Sequence, residues 1–129
     1  MSLRLKPELR IFVYSEYMDL RAGFDKLSWV VREKMNRELA DGDLFLFLGN
    51  NRRRLKALCY DGTGLVLISK RMERGRFMRL EELEEKEITT KELDWLLRGA
   101  VVRQAKFGMI PESLTTKAPP AMLDACVSV

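Results

Sequence analysis

The chain has 129 residues, with 23 Lys and Arg against 19 Asp and Glu and no histidine at all. That length suits a single domain, which at this size removes roughly two-thirds of its unfolded surface from water without disulfide or metal staples. Missing histidine removes the commonest general base and zinc ligand, two cysteines cannot complete a metal set, and no apolar run approaches the ~18 residues of a membrane helix. We therefore expect no catalytic residues, no cofactor, no metal and no membrane contact. The N-terminus lacks the apolar stretch of a signal peptide, which points to a cytoplasmic protein.

In chain order, residues 10–14 (Arg-Ile-Phe-Val-Tyr) read as a β-branched and aromatic first strand. Leu20, Phe24, Leu27, Val31, Met35 and Leu39 then step by three or four, the apolar face of one helix. Ser15 or Asp19 is expected to supply its N-cap oxygen, and Arg21 to pair with Asp25 one turn on. Gly23 is expected to mark a close crossing of helix and sheet. After the turn Asp41-Gly42-Asp43, Leu44–Leu48 is apolar on both faces and should be a central strand. Gly49-Asn50-Asn51 is hairpin chemistry, since Gly and Asn tolerate positive φ. A third strand follows over residues 54–60, with Cys59 as a reduced core residue. Asp61-Gly62-Thr63-Gly64 is a second tight turn, residues 65–69 form a fourth strand, and a short fifth is expected around Phe77.

The acidic residues 81–87 read as a solvated turn or short helix. Thr89 and Glu92 have capping-box spacing, opening a helix through Leu93, Leu96 and Leu97 that ends at Gly99. The fold class is α+β: an antiparallel meander of about four to five strands covered by two helices. One domain is expected over residues 1–110. From Pro111 the composition turns to Ser, Thr, Pro and small residues, so 111–129, including Cys126, is expected to be a loosely held tail.

Charge is strongly segregated along the chain. Residues 49–79 carry 9 basic against 2 acidic side chains, whereas 80–95 carry 2 against 7. Arg52, Arg53, Arg54 and Lys56 lie at and after one hairpin tip; Lys70, Arg71, Arg74 and Arg76 follow the fourth strand. Successive strands of a meander run up and down, so both groups should meet at one end of the sheet. Such a patch attracts phosphates without any base contact. It also fits an acidic protein partner, or a solvated face neutralised by residues 81–87.

Three motifs in order resemble one family. They are Met18-Asp19-Leu20-Arg21-Ala22-Gly23-Phe24, then Tyr60-Asp61-Gly62-Thr63-Gly64-Leu65, then Lys70-Arg71-Met72-Glu73-Arg74-Gly75-Arg76-Phe77. Together they are similar to the TnpB accessory protein, the second reading-frame product of the IS-sixty-six group of insertion sequences, over residues 10–100. Tyr60 stands where the family usually has Trp, Leu20 where it has Met, and Met78-Arg79 where Trp-Pro often follows. The resemblance singles out Asp19, Arg21, Gly23, Asp61, Gly62 and Gly64. It implies a non-catalytic helper of a separate transposase encoded by the same element, with DNA as a partner through the arginines. The alternative is a protein–protein module that binds the transposase and has no affinity for nucleic acid. A metal nuclease would need clustered carboxylates, and Asp19, Asp61 and Glu73 each read better as a cap, a turn or an ion pair.

Overall fold

The computed structural model describes residues 8–99; the expectations for 100–110, for the tail and for Cys126 lie outside them. Five strands form one sheet: β1 (Ile11–Val13), β2 (Leu44–Leu48), β3 (Arg54–Tyr60), β4 (Leu65–Arg71) and β5 (Glu87–Ile88), in the spatial order β4-β3-β2-β1-β5. All five residues of β2 are buried, as expected of the central strand. The pairs β2–β3, β3–β4 and β1–β5 are antiparallel. β1 and β2 pair in parallel, Phe12 opposite Phe45, because the long connection between them crosses over with a helix instead of a tight turn. The sheet is thus mostly antiparallel, with one parallel pair that the meander expectation omitted.

Alternation along the strands creates two cores. Ile11, Val13, Leu46, Leu55 and Ala57 face the helix α2 (Thr90–Leu97) and pack with its Leu93, Leu96 and Leu97. Phe12, Tyr14, Phe45, Phe47 and Leu58 face the other way, against Leu27, Val30 and Val31 of the first helical segment. The helices therefore cover opposite faces. Helix α2 opens with the expected capping box: the Thr89 hydroxyl accepts from the Glu92 N–H, and the Glu92 carboxylate accepts from the Thr89 N–H. Gly99, at φ +85°, ends it.

Four details depart from the sequence reading. The helix expected from Leu20 to Leu39 is only α1 (Phe24–Trp29) continued by a π turn, Val30–Lys34, closed by the Met35 N–H donating to the Val30 carbonyl at 3.0 Å. Asn36 then adopts φ +56°, and Leu39 lies on a separate 3-10 turn. The N-cap is Gly23 with no side-chain bond, so neither Ser15 nor Asp19 caps it. A Cβ on Gly23 would meet nothing within 4 Å, so no close crossing exists there. The fifth strand is Glu87–Ile88 rather than the Phe77 segment; Phe77 is a buried plug outside any strand. No helix among the described residues is long and apolar enough to cross a membrane.

Candidate nucleic-acid interface

The loop between β2 and β3 is closed by the Gly49 N–H donating to the Arg54 carbonyl at 2.9 Å and the Arg52 N–H to the Gly49 carbonyl at 3.0 Å. Its positive φ falls on Arg52 (+57°), not on the Gly or Asn expected to take it. The side chain of Asn51 rigidifies the tip by accepting from the Arg53 N–H at 2.9 Å. The chain leaving β4 then straps across this tip: the Met72 N–H donates to the Arg53 carbonyl and the Phe77 N–H to the Arg52 carbonyl, both at 2.7 Å. In the β3–β4 ladder Arg54 stands directly opposite Arg71. The two basic stretches meet at one end of the sheet.

The eight basic residues singled out in the sequence divide into two groups. Arg52 is half-buried and donates to the Phe77 carbonyl at 3.2 Å, locking the strap to the tip. Lys56 donates to the Ala22 carbonyl at 2.8 Å, tying the first motif to β3. Lys70 donates to the Leu97 carbonyl at 2.8 Å, at the negative end of α2; burial, and then the nearby Arg98, hold its ammonium below the usual lysine pKa. Arg71 is bonded to Glu73 at 3.2 Å. Arg53, Arg54, Arg74 and Arg76 are exposed and make no intramolecular side-chain bond among the described residues. Lysine and arginine counts do not reveal this division, because it depends on the carbonyls of Ala22, Phe77 and Leu97 that the fold brings near.

Arg53, Arg54 and Arg71 line a single cleft together with Asn51 and Glu73. Like charges directly opposite in a ladder are destabilising, and within the cleft Glu73 offsets this pair. Two residues of the acidic run pair outside this cleft. Glu87 is engaged by Arg10 at 2.8 Å, Glu81 accepts from the Tyr17 hydroxyl, and β5 occupies the edge of the sheet opposite β4.

The first motif forms a wall beside this tip. The Met18 N–H donates to the Leu48 carbonyl at 2.9 Å, extending the parallel pairing to Gly49. A Cβ on Gly49 would sit 3.3 Å from Leu20 Cδ1, so the close-approach glycine is Gly49 and not Gly23. The sequence carried no local signal for this, because the fold brings Leu20 and Gly49 together from distant parts of the chain. Arg21 folds back on Asp19, with Nη2 at 2.6 Å from Oδ2, rather than pairing with Asp25. The side-chain and backbone bonds from Arg21 pull the Asp19 carboxyl down to about 2, so it is ionised throughout the working range. Asp19, Leu20, Arg21, Asn50, Asn51 and Arg54 border a second open cleft of about 340 Å³, which shares Asn51 and Arg54 with the first.

The second motif closes on itself at the other end of β3. One Asp61 carboxylate oxygen accepts from the Thr63 N–H, the Thr63 hydroxyl and the Gly64 N–H, each at 3.0 Å, and Gly62 takes φ +101°. Those bonds hold the Asp61 carboxyl below the usual carboxylate range, Thr63 contributing most. Asp19, Asp61 and Glu73 are thus separately engaged, and among the described residues no group of three or more His, Cys, Asp or Glu side chains could hold a metal ion.

Comparison with known proteins agrees with the family resemblance. The uncharacterized protein y4hO of Sinorhizobium fredii is 37% identical over 70 residues, covering 54% of this chain and 61% of that protein. A second protein of the same organism, y4jC, is 33% identical over 70 residues, covering 54% and 60%. The chain therefore spans about three-fifths of the length of these relatives. No solved structure matches it. The model of the family described as IS66 Orf2 like protein matches residues 9–107, most of the 129, and the chain belongs to that family of insertion-sequence accessory proteins.

Proposed function

We propose that this protein is a non-catalytic helper of a separate transposase, and that it holds DNA by its phosphate backbone with the arginines at the β2–β3 tip. The observation that carries this reading is the cross-strand register of Arg54 and Arg71, joined in one cleft by Arg53 and Asn51. Two guanidiniums held side by side by a ladder repel each other in the free protein and are relieved by a shared anion. Phosphate contacts of this kind position a protein on DNA without selecting sequence. Arg74 and Arg76, exposed on the strap, extend the same end of the sheet. Arg52, Lys56 and Lys70 act inside the fold to hold this surface together.

The test is a fluorescence titration against duplex DNA at two salt concentrations. Five phosphate contacts correspond to a log–log salt slope near −4.5, about 0.9 per contact. Absence of binding at low salt removes the reading.

The second reading, contact with the transposase and no affinity for DNA, is favoured by exposed aromatic side chains at the two ends of α1. Phe24 and Trp29 are 45% and 38% exposed there. Lys26 and Lys34 lie 4.6 and 5.6 Å from the Trp29 ring centre. If Trp29 is the contact, Trp29→Ala abolishes co-purification with the transposase and leaves DNA titrations unchanged.

A further inference from the structure

We infer that β4 is a self-pairing edge: two copies of the chain join their β4 strands antiparallel about a two-fold axis at Ile68, making one continuous sheet across both. The inference does not rest on the DNA reading.

The two edges of the sheet differ. β5 is two residues long, whereas β4 runs for seven, Leu65–Arg71, and pairs with β3 at every position without a bulge. No other strand among the described residues pairs with its outer side. Edges that must stay single are kept short, bulged, charged or broken by proline. Residues 65–69 (Leu-Val-Leu-Ile-Ser) have none of these protections. Val66 and Ile68 pack against the α2-side core and Leu67 against the α1-side core, yet all three stay half-exposed, and Leu65 is 37% exposed.

The hydrogen bonds at the two ends of the β3–β4 ladder fix which backbone groups face outward. The Asp61 N–H donates to the Gly64 carbonyl at one end, and the Met72 N–H to the Arg53 carbonyl at the other. Bonded pairs alternate with unbonded ones in an antiparallel ladder, so Val66, Ile68 and Lys70 turn their N–H and C=O to β3. Leu65, Leu67, Ser69 and Arg71 turn theirs outward. Two such edges meet with every outward group bonded when Leu65 stands opposite Arg71 and Leu67 opposite Ser69, a register with about eight bonds. Its axis passes through Ile68, whose two copies then sit side by side as a close, unbonded pair. Charge selects the same arrangement. β4 leaves the Asp61 turn at one end and finishes in Lys70 and Arg71 at the other, so antiparallel pairing sets each cationic end against the partner's acidic end. Parallel pairing would instead set Arg71 beside Arg71. In the antiparallel register the two Arg71 residues lie about 20 Å apart, beyond the screening length at physiological salt. A strand complementary to itself in both bonding and charge fits a second copy.

Light scattering of the full chain is expected to give twice the mass of one chain. Ser69→Pro removes an outward N–H and places its ring at the pairing edge, while the β3 ladder keeps its bonds. It is expected to give a monomer with unchanged far-UV circular dichroism. Register is read by cross-linking under mild oxidation in a Cys126→Ser background. Ile68→Cys is expected to form a covalent dimer, because its two copies face each other at the axis. Val66→Cys, opposite Lys70 and about 14 Å from its own counterpart, is expected to form none. A monomeric parent overturns the inference, as does a dimer that Ser69→Pro leaves intact or one that cross-links better through Val66→Cys. If Ser69→Pro does not fold, the cysteine variants decide alone, and absence of the Ile68→Cys cross-link overturns the pairing.

Discussion

The two ends of β3 use similar turn residues and treat their polar groups in opposite ways. At the far end, Asp61 collects three hydrogen bonds from Thr63 and Gly64 on one oxygen, so its carboxylate is engaged in shaping the turn. At the near end, Arg54 faces Arg71 across the ladder, Arg53 and Asn51 share their cleft, and Glu73 is the one acid lining it. A turn whose carboxylate is engaged by its own donors has only to reverse the chain. An end that keeps charge in excess, at a cost to the ladder, is built for something outside the molecule. Most instructive is that the fold spends two of its lysines and one arginine at the charged end on internal bonds, which separates scaffold from surface within one basic block.

The largest expected effect tests that separation directly. Replacing Arg53, Arg54 and Arg71 together by Ala removes the cleft's charge and spares Arg52, Lys56 and Lys70. We expect affinity for duplex DNA to fall on the order of a hundredfold at low salt, and the salt slope to shrink by about 2.7 for three lost contacts. The urea midpoint should hold or rise, because the opposed pair is gone. A triple change at Arg52, Arg53 and Arg54 is a poorer probe, since Arg52 clamps Phe77 and its loss disturbs the strap. If the Arg53/Arg54/Arg71 variant binds like the parent, the two ends of β3 do not differ in the way described.

Lys56→Met examines the scaffold half. The methylenes remain packed but the bond to the Ala22 carbonyl is lost, which should cost about 1.5 kcal/mol in urea unfolding. At the closed end, Gly62→Ala forces a Cβ into φ +101° and should cost about 1 kcal/mol with no change in DNA affinity. A loss of affinity in that variant would mean the ends communicate.

How far the sequence disclosed this arrangement depended on the length of each signal. Five consecutive apolar residues made β2 unmistakable as a buried strand, and Thr89 with Glu92 announced α2 through hydrogen bonds local to one turn. The first helix was over-extended for a reason visible in its own numbers. From Leu20 to Leu39 is 19 residues in five steps, about 3.8 per step against 3.6 for an α-helix. That drift is taken up by the wider Val30–Lys34 turn and the break at Asn36. β5 was missed because two residues cannot display alternation, and it is fixed by a partner strand and the Arg10–Glu87 bond, both remote in sequence. The meeting of the two basic stretches followed from meander topology. Which of their side chains remain outside the fold did not, since that was decided by Ala22, Phe77 and Leu97, partners that only the folded chain brings near.

The smallest effect concerns Glu73, the one acid inside the charged cleft. Its carboxylate lies 3.2 Å from Arg71 with both side chains mostly exposed, so as an ion pair it adds little to stability. Its consequence for binding is larger than for folding, because a phosphate that settles between Arg54 and Arg71 must displace it. Glu73→Gln keeps the size and removes the charge. Affinity for duplex DNA should then rise about threefold at low salt, with the slope steepening by at most roughly 0.9, one added phosphate contact. The same change should leave the urea midpoint where it was. An affinity that falls instead would make Glu73 an orienting partner that holds Arg71 toward the strand, and the excess of charge at this end would then be set by position and not by number.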